Sequence, residues 1–99
     1  MATVTRDLYS YGRLVGTVTY ASKAAYDADR RCETAKGRIG TIESDLKIER
    51  KRLSNPKYPA EYKKETAAII QRLEAELAER QTEYQVAVDD FKAAGGILG

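Results

Sequence analysis

From Ser22 onward, small and apolar side chains recur at Ala25, Ala28, Cys32, Ala35, Ile39, Ile42 and Leu46 in alternating steps of three and four. After Glu49 the register resumes at Leu53. Positions so spaced stay on one face of a helix, which is the seam of a coiled coil. Ser22 can cap its start by accepting from a free backbone N–H. Asn55-Pro56 ends it, because the residue before proline avoids the α region. The pattern predicts a first helix over 22–54. Pro59 suits a first turn, where its missing N–H costs nothing. Beyond it, Tyr62, Thr66, Ile69, Ile70, Leu73, Leu77, Tyr84, Val88 and Phe91 form a second stripe, interrupted at Arg80 and Gln81. A second helix over 59–94 follows, with Gly95 in the C′ position. So short a connection makes the helices antiparallel neighbours. Folding about residue 56 sets Ile42 near Ile70, Ala35 near Leu77 and Ala28 near Tyr84, small against large as close packing requires.

The stretch before Ser22 follows another rule. Thr3, Val4, Thr5, Val15, Thr17, Val18 and Thr19 with three tyrosines give a β-branched and aromatic excess, which suits strands. Ser10-Tyr11-Gly12 supplies a turn, predicting a β-hairpin of residues 3–9 with 13–20 that places Leu14, Val18 and Tyr20 on one side. The alternative is a helical extension from near Asp7, since Tyr11, Leu14, Val18 and Ala21 fall in phase with the seam. Gly12, Gly16 and the β-branched run argue against it. The fold class is therefore mainly α: an N-terminal β-hairpin segment (1–21), an antiparallel two-helix coiled-coil hairpin (22–94) and an apolar C-terminal tail (95–99).

Composition removes whole classes of chemistry. The 99 residues contain no His and one Cys, so His-based triads, His metal sites and an internal disulfide are excluded. No cofactor or metal is expected, nor catalysis. Seventeen basic and fifteen acidic residues leave a net charge of only +2, too little for wholesale nucleic-acid or membrane binding. With no apolar run of membrane-spanning length and no signal-peptide core at the start, the expectation is a soluble, intracellular, cytoplasmic protein without a membrane partner.

Charge clusters locally instead. Around the bend, Lys47, Arg50, Lys51, Arg52, Lys57, Lys63 and Lys64 face only Glu49 and Glu61, a basic tip able to grip phosphates, with Tyr58 and Tyr62 beside it to stack on a base. A solvent-facing bend must also be polar for its own sake. Glu76, Glu79 and Glu83 share one face of the second helix, but carboxylates side by side on one helix do not surround a cation. Cys32, in register among alanines, reads as a small core residue.

The termini carry the stronger functional signal. Ile97-Leu98 follows Gly95-Gly96 as an apolar pair on a flexible tether, and a lone two-stranded hairpin leaves open edges. Both features call for docking, through Leu14, Val18, Tyr20, Ile97 and Leu98. The expected function is a non-enzymatic structural or assembly subunit, as in a virion or other multi-subunit particle, whose protein partners are copies of itself or neighbouring subunits. The alternative is a small inhibitor or adaptor that uses the basic tip against nucleic acid or an acidic protein surface.

Overall fold

The computed structural model describes residues 2–98. Strands β1 (Val4–Ser10) and β2 (Arg13–Tyr20) precede helices α1 (Lys23–Ser54) and α2 (Ala60–Ala93). The chain is mainly helical: an N-terminal antiparallel hairpin followed by two long helices packed on each other. The helical extension from Asp7 does not form, because two glycines and a β-branched run favour the extended backbone. The chain makes two compact units, one of the segment up to Glu33 together with Tyr84 onward, the other of Thr34–Glu83.

In the first unit, Tyr11 (φ 51°) and Gly12 (φ 77°) both occupy the left-handed region, the two-residue turn whose twist matches the strands it joins. Pairing runs from Val4↔Tyr20 to Leu8↔Gly16, then slips, so that Tyr9 faces Leu14 and Val15 is left over as a bulge. Directly opposed residues share a face. Leu14 therefore lies on the face of Tyr9, away from that of Val18 and Tyr20, and the expected row Leu14-Val18-Tyr20 is broken by the bulge.

Tyr20 is 2% exposed and meets the rings of Tyr26 and Phe91 edge-on at 5.4 and 6.3 Å, the favoured aromatic geometry. Ser22 Oγ accepts from Ala25 N (3.2 Å), capping α1, and donates to Ala94 O (3.0 Å), tying that cap to the end of α2. There Gly96 N donates to Phe91 O and Gly95 N to Lys92 O, a Schellman cap with Gly95 at φ 97°. On the two helices Ala25, Ala28 and Ala87 are all buried. Ala87 falls outside the stripe assigned to the second helix, where neighbouring Val88 was expected; Val88 is half-buried.

The tail departs from expectation. Ile97 bridges Tyr20 in antiparallel fashion, with Leu98 N donating to Thr19 O (2.7 Å) and Ala21 N to Gly96 O (2.9 Å). Residues 96–98 thus form a rudimentary third strand on β2 of their own chain. They are not a free tether, because the two positive-φ glycines of the cap turn the backbone directly onto that edge.

In the second unit, Ile42, Leu46 and Ile70 are the buried cluster, with Leu53, Leu73 and Leu77 packed partly against it. Buried Thr66 shares a hydrogen bond with Tyr58 Oη (3.1 Å). Asn55 Oδ1 accepts from Lys57 N, and Pro59 O accepts from Tyr62 N and Lys63 N, so the bend is closed by local bonds. Glu49, at the gap in the seam, is held by Arg52 at 2.9 Å.

Candidate functional site

Four large apolar residues that should be inside are outside. Tyr9, Tyr11, Leu14 and Val15 are each more than half exposed, and all lie at the turn end of the β-hairpin. Local backbone chemistry puts them there. The two-residue turn leaves Tyr11 fully in solvent at its apex, the bulge ejects Val15, and the slipped register pairs Tyr9 with Leu14 on the outer face. An apolar cluster of this kind on a small chain marks an interaction surface.

The hairpin is anchored within its own unit by a polar network. Tyr20 Oη donates to Asp29 Oδ2, and Arg6 Nη1 lies 2.8 Å from Glu33 Oε1 and 3.6 Å from Asp29 Oδ2. Burial, then the Asp29 hydrogen bond, raises the Tyr20 hydroxyl above its ordinary pKa. The Arg6 hydrogen bond holds the Glu33 carboxyl below its own. These contacts hold β1 and β2 to the start of α1, which makes the turn end a supported platform.

The residues expected to dock divide accordingly. Leu14 is exposed and belongs to the cluster. Val18 is half-buried and Tyr20 buried, so Tyr20 serves the core of its unit. Ile97 and Leu98 keep half or more of their surface exposed although their backbone is engaged on β2. Periodicity did not single out Tyr9 or Val15, and it marked Tyr11 only through the helical phasing that does not form. The available signal was a tyrosine at a turn position requiring positive φ, a residue placed where it gains no burial.

The basic tip also sorts into two groups. Arg50 pairs with Glu74 at 3.1 Å and Arg52 with Glu49 at 2.9 Å. Lys47, Lys51, Lys57, Lys63 and Lys64 have no ion pair among the described residues. Tyr58 and Tyr62 meet edge-on at 6.0 Å beside them.

Other chemistry is sparse. Among the described residues no group of three or more His, Cys, Asp or Glu side chains is arranged to hold a metal ion, and no helix is long and apolar enough to cross a membrane. Cys32 is half-buried, its thiol pushed up by burial first and then by the charge of Asp29, which keeps it protonated. No protein family, curated protein or solved structure matches the chain.

Proposed function

We propose that this protein is a non-enzymatic assembly subunit that docks into an apolar cleft of a neighbouring protein through the end of its β-hairpin. The observation that carries the reading is the gathering of Tyr9, Tyr11, Leu14 and Val15, all more than half exposed, on one supported turn. Tyrosines and branched aliphatics are the side chains from which interface hot spots are built. The hairpin is pre-ordered by its turn and by the Arg6–Glu33 contact, so little conformational freedom is lost on docking. The half-exposed Ile97 and Leu98 add apolar surface on the same unit.

The test is the size of the particle in which the protein travels in extracts of its native source. The wild type is expected in fractions well above twice 11.0 kDa, and the Tyr9→Ser/Leu14→Ser variant in the fractions of the free protein. Identical profiles for the two would sink the reading, provided circular dichroism shows both folded.

A second reading rests on the five lysines that make no ion pair among the described residues: an adaptor that meets nucleic acid or an acidic protein surface at the bend. Binding of a labelled single-stranded oligonucleotide is then expected to weaken steeply between about 50 and about 200 mM salt. It should disappear in Lys51→Glu/Lys64→Glu. Absence of binding at low salt removes the nucleic-acid form of this reading.

A further inference from the structure

The chain covers one edge of its hairpin and leaves the other bare. On β2, Thr19 O accepts from Leu98 N and Ala21 N donates to Gly96 O, so these backbone groups face the tail. Along a strand of an antiparallel ladder, backbone groups point alternately to one side and the other. Val18 and Tyr20 therefore face β1, where their partners are Arg6 and Val4. Thr5, Asp7 and, by the same alternation, Tyr9 turn their N–H and C=O groups away from the hairpin. Among the described residues the sheet has two strands, and no backbone bond from outside the hairpin reaches residues 4–10. Thr5, Asp7 and Tyr9 are all exposed, so the way to that edge is open. Natural edges are guarded by lysine, proline, a bulge or shortness. β1 is seven residues long with neither lysine nor proline, and the bulge lies on β2. Its inward cation, Arg6, is occupied by Glu33. Asp7 is the charge left standing on the edge, with no ion pair among the described residues.

We propose that β1 receives an extended strand of the neighbouring protein along this edge, with a lysine or arginine opposite Asp7 and an apolar side chain opposite Tyr9. The proposal rests on the docking reading and names what the partner brings: its strand is one wall of the cleft that takes the hairpin end. Tyr9 joins the two, since its side chain belongs to the exposed cluster and its backbone to the edge. In strand addition, main-chain bonds supply attachment and alternate side chains supply the choice of partner. Directly opposed residues decide that choice, and an exposed, unpaired carboxylate calls for a cation. A second copy of this chain is a poor occupant. Laid antiparallel on itself over its full length, β1 sets Asp7 against Asp7. A rung to one side sets Arg6 against Arg6, and a rung to the other keeps only residues 6–10 in register.

Proline tests the edge, because the Asp7 N–H points away from β2 and its loss leaves the hairpin's own ladder whole. Thr17 is the control, its N–H pointing off the far edge of β2. In extracts of the native source, wild type and Thr17→Pro are expected together in fractions well above twice 11.0 kDa, and Asp7→Pro in the fractions of the free protein. Asp7→Lys sets like charges against each other and is expected to cut the particle-bound share at least roughly tenfold. It also carries the test should circular dichroism show Asp7→Pro unfolded. If Tyr9→Ser/Leu14→Ser leaves the particle while Asp7→Pro and Asp7→Lys stay in it, the added strand is overturned and the docking reading stands. If both proline variants leave, the effect is not particular to β1 and the proposal falls. A wild type that travels free overturns it together with the docking reading. Light scattering that shows a purified dimer, lost in Asp7→Pro, would make a second copy the occupant and overturn the foreign strand.

Discussion

The two compact units solve one packing problem with different materials. In the unit holding the hairpin, the fully buried apolar positions of the helices are alanines, Ala25, Ala28 and Ala87, which contribute little apolar area. Directional contacts do the holding: Tyr20 between Tyr26 and Phe91, its hydroxyl on Asp29, Ser22 on Ala94, Arg6 on Glu33. In the other unit Ile42, Leu46 and Ile70 supply area directly, and polar contacts are mostly exposed ion pairs. The contrast shows that a small-residue seam brings backbones close, but its rigidity has to come from what is stacked and bonded around it.

The largest effects should come from removing the centre of each unit. Tyr20→Ala is expected to cost about 3–5 kcal/mol, since it deletes a fully buried ring and leaves Asp29 to the more distant Arg6. Leu46→Ala should cost about 2–5 kcal/mol. Urea unfolding measures both, and amide exchange tells where protection is lost. Tyr20→Ala should expose the hairpin and both chain ends first, Leu46→Ala the helices near the bend. If each variant loosened the whole chain equally, the two units would be one cooperative body and the contrast would dissolve.

A smaller loss, about 1–3 kcal/mol, is expected for Gly95→Ala. The added methyl would stand 2.7 Å from Ala21 Cβ at a φ of +97°, a conformation that favours glycine. Loss of the tail's bonds to β2 would show as rapid exchange at Ala21 and Leu98. Gly37→Ala and Gly40→Ala change sign. Among the described residues a Cβ at either position meets nothing within 4 Å, so each should stabilise the second unit by up to about 1 kcal/mol. A destabilising result at either would mean that the glycine serves a contact with another molecule.

The smallest effect is electrostatic. Arg6 depresses the Glu33 carboxyl in the folded chain, so the stabilisation is present above the ordinary carboxylate range and is lost as pH falls through the lowered folded value. Wild type should therefore lose more of its urea midpoint between about pH 6 and pH 3 than Glu33→Gln does. Equal losses would mean that Glu33 adds nothing to the hairpin's hold on α1, leaving it to Tyr20 and the Arg6–Asp29 contact.

Periodicity and punctuation were sufficient for most of the secondary structure. A seam in steps of three and four, Ser22 as cap, Asn55-Pro56 as stop and Gly95 as C′ residue are local instructions, each satisfied by the backbone near it. Turn residues and β-branching favoured the hairpin, while the phasing of Tyr11, Leu14, Val18 and Ala21 left a helical extension open. The candidate site was less legible. The slip that separates Leu14 from Val18 and the bulge that ejects Val15 arise from how two strands and a turn close together, which alternation along one strand does not encode. The burial of Tyr20 depends on rings from two helices far apart in sequence, and the seating of Ile97-Leu98 on β2 depends on a backbone path set by consecutive left-handed glycines. What this sequence determined by itself was which stretches are helix and strand, because those follow from contacts a few residues apart. Which apolar side chains are core and which are surface was decided only in the tertiary structure, where non-local partners take some out of water and leave the others in it.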